Sequence, residues 1–305
     1  MSRIHDALKK AEQERLAQGL PPETTRVETP PAPEPARPEL VPVPSNGDAV
    51  ATEKSPAKPK ESPVETLLAT CQCRDTKAGS GIQPESDAHR DPLVSEEFRS
   101  LRSLLYLTRK RQALRKLLIT SPLPKEGKTF LAANLAQTFA RQSGSRVLLI
   151  DCDLRISALH KILGVPQSPG LSEYLSGAVE LGSALQRGAP DNLFFMTGGE
   201  RSANPTELLG NGRFEQIMNR IGPAFDWIIL DSPPAVPVSD SRLLAQFCDG
   251  VLMLVQAGVT PFDMAQKACQ EFPKSQLLGV VLNRAQTHSA GSYQHYYSER
   301  GQEKL

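Results

Sequence analysis

Nine consecutive residues, Ser121-Pro122-Leu123-Pro124-Lys125-Glu126-Gly127-Lys128-Thr129, have the types and spacing to hold a phosphate chain. They follow a short apolar run and precede a helical pattern. The loop's backbone N–H groups would therefore gather at a helix N-terminus, where the dipole also favours negative charge. Lys128 would reach the β- and γ-phosphates of ATP, and the Thr129 hydroxyl would ligate Mg²⁺. In the usual spacing a glycine falls at position 122, where this chain has proline. Asp151-Cys152-Asp153-Leu154-Arg155 follows a second apolar run. Two carboxylates at alternate positions suit water-mediated Mg²⁺ binding or acceptance of a proton from an attacking hydroxyl, and the same pair alone could equally cap a helix. Asp231-Ser232-Pro233-Pro234 closes a third run with an acidic residue of the Walker B type, after which two prolines stop strand pairing. Three such motifs, each on a strand end, point to a nucleotide site.

The elements that must position them are legible as alternating signals. Apolar runs at 117–120, 147–150, 193–196, 227–230, 251–255 and 278–282 read as strands. Helical patterns fall at 93–107, 128–142, around Leu159, and at 208–221, 241–247 and 262–272. Continuously apolar strands alternating with helices predict a doubly wound, mostly parallel α/β sheet of six or more strands, with helices on both faces. Ligands bind such a sheet beyond the carboxyl ends of its strands, where the three motifs lie. Asn204, Pro205 and Glu207 have the pattern of a helix start with a capping box.

Composition bounds the rest. Between Pro21 and Pro63 lie 12 of the 26 prolines and no aromatic residue, so this stretch cannot bury enough apolar surface to offset its chain entropy. The expected organisation is an amphipathic helix at 1–19, which either docks or frays, and a disordered Pro-rich linker at 20–91. The P-loop domain follows at 92–288, with a flexible tail at 289–305. A formal net charge of +1 argues against a nucleic-acid partner bound through bulk charge. Cys152 and Cys248 read as small core hydrophobes, and Cys71 with Cys73 makes a poor zinc site without histidines nearby. No apolar run approaches the ~20 residues that span a bilayer.

Taken together, these residues resemble the bacterial tyrosine autokinases of polysaccharide export, the BY-kinases. The loop ending Glu126-Gly127-Lys128-Thr129, the Asp151-x-Asp153-x-Arg155 box and Asp231-x-Pro233-Pro234 are similar to that family's Walker A, A′ and B motifs. Asn204-Pro205-x-Glu207-Leu208-Leu209 and Gly279-Val280-Val281-Leu282-Asn283-Arg284 extend the similarity. The resemblance implies an ATP- and Mg²⁺-dependent protein-tyrosine kinase, in which Asp151 or Asp153 deprotonates the tyrosine and Arg155 stabilises charge. It also implies Thr129, Asp151 and Asp231 at the metal, and Asn283 at adenine. Glu96-x-x-Arg99-x-x-Arg102 matches a motif of ring-forming self-association, and on a helix these charges share one side. Tyr293, Tyr296 and Tyr297, three of the five tyrosines, fall in the last thirteen residues and match a cluster phosphorylated in trans. A membrane-embedded activator of the polysaccharide chain-length regulator type would hold the cytoplasmic chain at the inner face of the plasma membrane. Two departures stand out: Lys125 replaces a usual glycine, and Leu123 replaces the lysine of the ATPases that position division and partition machinery. A dimerising ATPase switch and a nucleotide-binding scaffold with little catalysis are the competing readings.

Overall fold

Strands that are apolar without alternation must be covered on both faces, and the runs at 117–120, 147–150, 193–196, 227–230 and 251–255 are buried throughout, whereas Val280 and Leu282 of the last run are exposed. The computed structural model describes residues 63–74, 76 and 92–285; the expected helix at 1–19 and the tyrosine tail lie outside the described residues. The strands are β1 (Gln72–Cys73), β2 (Lys116–Thr120), β3 (Val147–Asp151), β4 (Gln186–Arg187), β5 (Leu193–Met196), β6 (Trp227–Asp231), β7 (Gly250–Gln256) and β8 (Leu277–Asn283). They form one sheet in the order β1-β4-β5-β3-β6-β2-β7-β8. Every neighbouring pair is parallel except β4 with β5.

Side chains alternate across the sheet with the strand period of two, which splits the core into two layers. Leu118, Leu148, Ile150, Ile228, Leu230 and Met253 serve one layer. Leu117, Ile119, Leu149, Trp227, Ile229 and Leu254 serve the other. Among the described residues, ten α-helices cover the two faces of the sheet. In chain order they are α1 (Pro63–Thr70), α2 (Pro92–Arg109), α3 (Lys128–Ala140), α4 (Leu159–Leu163), α5 (Leu171–Ser176), α6 (Leu181–Ala184), α7 (Pro205–Gly210), α8 (Arg213–Arg220), α9 (Asp240–Ala245) and α10 (Phe262–Gln270). The expected doubly wound architecture is present, with α2, α3 and α4 on one face and the other helices on the opposite one.

Helix α3, which carries the phosphate loop at its start, is buried almost all round because α2 lies over it. Phe139 of α3 stacks on Trp227 with ring centroids 4.2 Å apart. Tyr106 of α2 meets both rings edge-on at 5.7 and 5.5 Å, and its hydroxyl accepts the Trp227 indole N–H at 3.3 Å. Each such aromatic pair adds about 0.5–1.5 kcal/mol beyond burial. This cluster fixes the axis of α3, and so the direction in which its N-terminal amides point.

Three local expectations fail. Residues 63–73, read as disordered linker, form α1 and β1; Leu68 and Cys71 enter the core, and Gln72 pairs with Gln186. Val64, Leu67, Leu68 and Cys71 carry the helical spacing there, a signal masked by the proline-rich composition around it. The single helix expected over 208–221 is two, broken where Gly212 adopts φ 83° between α7 and α8. Pro205 opens α7 as expected, but Asn204 makes no side-chain capping hydrogen bond.

Candidate active site

The strand order places the three motifs side by side, since β6 lies between β3 and β2 and all three are parallel. The loop after β2 turns into α3 through Gly127 at φ 105°. Two residues earlier, Lys125 adopts φ 65°, a left-handed conformation that explains why glycine suits this position. Lys128 is buried at 8% exposure, at the first turn of α3. A Cβ added at Gly127 would come within 2.5 Å of the Asn283 amide nitrogen over the end of β8, and the positive φ strains any other residue there.

The two aspartates that face each other across the β3–β6 register, Asp151 and Asp231, are in opposite conditions. Asp151 is fully buried and fully engaged: its Oδ2 accepts the Ser157 hydroxyl at 2.7 Å and the Ala158 and Leu159 amides at 3.1 Å. Its Oδ1 accepts the Asp153 amide at 3.1 Å. Burial pushes its pKa up to about 6, against the opposing pull of the Ser157 and Leu159 hydrogen bonds. Every hydrogen bond that Asp151 accepts comes from the 153–159 loop.

Asp231 is 1% exposed, and neither carboxylate oxygen has a hydrogen-bond partner among the described residues. Burial and the Asp151 charge push its pKa well up, while Lys128 and Thr129 pull it down. A buried carboxylate with both oxygens orphaned calls for a cation. Its neighbour Thr129 offers a hydroxyl, and an all-oxygen set beside a phosphate cradle suits Mg²⁺. The residues present fit that ion.

Asp153 falls between these extremes. Its Oδ1 accepts the Arg155 and Ile156 amides at 3.2 and 2.9 Å, while no described residue bonds its Oδ2. Arg155, expected as a charge stabiliser, pairs here with Asp240 at the start of α9. Its Nε donates to Oδ2 at 2.8 Å and its Nη2 to Oδ1 at 3.3 Å. Thr206 of α7 joins the pair by donating its hydroxyl to Asp240. Asp240 was not visible as a site residue in the sequence, because its partner lies 85 positions away.

Glu126, expected among the phosphate-loop contacts, has its carboxylate turned to Leu123 and Thr260, and Asn283 donates to its backbone carbonyl. Glu96 and Arg99 pair with each other on the exposed side of α2 at 3.3 Å. Arg102 departs from the expected outward stripe: it donates to the Thr138 carbonyl of α3 at 3.0 Å. Tyr293, Tyr296 and Tyr297 lie outside the described residues.

Residues 117–302 match the CobQ/CobB/MinD/ParA nucleotide binding domain family. The chain is 31% identical to the putative tyrosine-protein kinase CapB of Staphylococcus aureus, over 68% of this chain and 91% of that one. It is 32% identical to the tyrosine-protein kinase wzc of Salmonella typhimurium, over 67% of this chain but 28% of the relative. Among solved structures, the kinase domain of the Escherichia coli tyrosine kinase ETK is 31% identical with a TM-score of 0.58. That match covers 63% of this chain and 78% of the other.

Proposed function

We infer, from the premise that this chain belongs to the bacterial tyrosine-protein kinases of the CobQ/CobB/MinD/ParA nucleotide-binding class, that it transfers the γ-phosphoryl group of ATP to tyrosine. The observation that carries the chemistry is the orphaned, buried Asp231 carboxylate beside Lys128 and Thr129. Lys128 and the loop amides would bind the phosphates, and Thr129 with Asp231 would hold Mg²⁺, which when bound neutralises phosphate charge. Asp153, through its free Oδ2, would accept the phenolic proton as the tyrosine oxygen attacks the γ-phosphorus. The bond to the β-phosphate oxygen breaks, and its electron pair leaves on ADP. Asp151 and the Arg155–Asp240 pair act as positioning residues that keep Asp153 in place.

The tyrosines transferred to are Tyr293, Tyr296 and Tyr297 of a neighbouring copy, in a homo-oligomer. In relatives the matching region stands almost alone, as in CapB, or forms 28% of a longer chain, as in wzc. That contrast supports a separate partner for this chain, a membrane-embedded regulator of polysaccharide assembly, which would hold it at the inner face of the plasma membrane. No helix among the described residues is long and apolar enough to cross a membrane.

Incubating the purified chain with γ-labelled ATP and Mg²⁺ tests the reading. Label on tyrosine, absent from Lys128→Ala and from the triple Tyr293/Tyr296/Tyr297→Phe variant, is the expected result. Phosphate release without labelled protein would instead mark an ATPase switch, and ATP binding with neither signal a scaffold.

A further inference from the structure

The phosphate loop is braced from behind by hydrogen bonds that converge on one of its own residues. Glu126 sits at its centre, 3% exposed. One carboxylate oxygen accepts the Leu123 amide at 3.0 Å, which closes the loop on itself. The other accepts the hydroxyl of Thr260, in the segment between β7 and α10. That hydroxyl in turn accepts the Gln256 amide at 3.1 Å, so it is engaged within the protein both as donor and as acceptor. The backbone carbonyl of Glu126 accepts the Asn283 side-chain amide at 2.7 Å, from the last residue of β8. Asn283 Oδ1 accepts the Arg284 amide at 2.9 Å, where the backbone turns at φ 55°. The Asn283 amide nitrogen lies where a Gly127 side chain would begin, so it fills the space under the loop's glycine.

Three segments far apart in sequence therefore converge on one residue of the cradle, Glu126. We propose that Thr260 and Asn283 are positioning residues for the phosphate loop, acting through Glu126, and that Asn283 shapes the cradle for phosphate rather than selecting the base. The physical reason is economy of donors. The loop must present its own N–H groups to the ligand, so its carbonyls and its acidic side chain need partners elsewhere. Prolines at 122 and 124 remove two amides from the loop, and Lys125 holds a left-handed conformation, so the remaining geometry depends more on outside support. The inference rests on the nucleotide reading and adds residues that touch no phosphate.

The test uses the full chain with Mg²⁺ and three ligands: ATP, GTP and inorganic tripolyphosphate, with dissociation constants measured by calorimetry. Thr260→Val and Asn283→Ala should each weaken all three by a common factor of roughly fivefold, the equivalent of one lost hydrogen bond, with the ATP-to-GTP ratio unchanged. Thr260→Ser, which keeps the hydroxyl, should recover most of the loss. Wild-type tripolyphosphate affinity in Asn283→Ala, with a collapsed ATP-to-GTP ratio, would assign Asn283 to the base and overturn the proposal. So would unchanged constants in Thr260→Val. A wild-type chain that binds none of the three ligands would remove the nucleotide reading instead. In that event amide exchange over 121–127 without ligand still decides: it should quicken in Thr260→Val, and an unchanged rate sinks the bracing role.

Discussion

Asp151 and Asp231 are one register pair, yet one is satisfied by four hydrogen bonds and the other by none from the described residues. That asymmetry gives two residues of the same type different surroundings. For Asp231 it also sets a pH dependence. Its folded pKa is raised, so the native state holds its proton longer than the unfolded chain does. Stability is then greatest below the unfolded carboxylate value near 4, and is lost as pH rises through the window up to the folded pKa. Asp231→Asn removes that loss. Thermal melts without Mg²⁺ should show the variant more stable than wild type at pH 8 and equal to it near pH 4, while kinase activity disappears. A variant less stable at pH 8 would mean that Lys128 already compensates the charge. Asp153→Asn separates base from anchor: kcat should fall on the order of a hundredfold or more, with melting little changed.

At the scale of elements, the loop after β3 is a clamp between helices. Arg155 reaches Asp240 on α9 and Thr206 on α7, and Asp240 is the buried member, at 1% exposure. The consequences of breaking the pair are unequal. Arg155→Ala strands a buried carboxylate, which costs about 3–5 kcal/mol where a buried charge loses its partner, whereas Asp240→Asn leaves a half-exposed guanidinium that water can solvate. Urea unfolding should therefore rank Arg155→Ala as the less stable of the two. Lys125→Gly runs the other way: relieving a left-handed lysine should return about 1 kcal/mol, or about 2–4 °C in Tm. The same scale explains what was legible in the sequence. Apolar runs at 117–120, 147–150 and 227–230 announced buried parallel strands, and the motifs at their ends needed no knowledge of partners. Asp240, Thr260 and the bracing role of Asn283 were hidden because their partners lie 85, 134 and 157 positions away. Residue types at one site do not reveal such distant pairings. The helix at 63–70 was missed for a different reason: local apolar spacing lost to regional composition.

For the whole molecule the question is which copy's tyrosines meet which site. Because β8 is parallel to β7, the chain leaves the sheet at the end where the motifs lie. From β8 to β6 there are three strand spacings, about 14 Å. Tyr293 stands ten positions beyond Asn283, a reach of up to about 35 Å when extended. Length alone therefore permits transfer within one chain, and a tethered tyrosine would have a local concentration in the millimolar range. Transfer between copies must draw on association instead, and α2 offers a surface for it. Leu104 and Leu107 are 61% and 53% exposed on a helix whose other outward residues include Glu96 and Arg99. Mixing two chains that cannot label themselves resolves the alternatives: Lys128→Ala with its tail intact, and an active chain carrying Tyr293/Tyr296/Tyr297→Phe. Transfer between copies should place label on the Lys128→Ala chain alone, at a rate per chain that falls on dilution. Leu104→Glu with Leu107→Glu in both partners should slow that labelling and leave ATP affinity unchanged. An unlabelled mixture beside a self-labelling wild type, at a rate independent of concentration, would assign each tail to its own site and leave α2 without a part in the reaction.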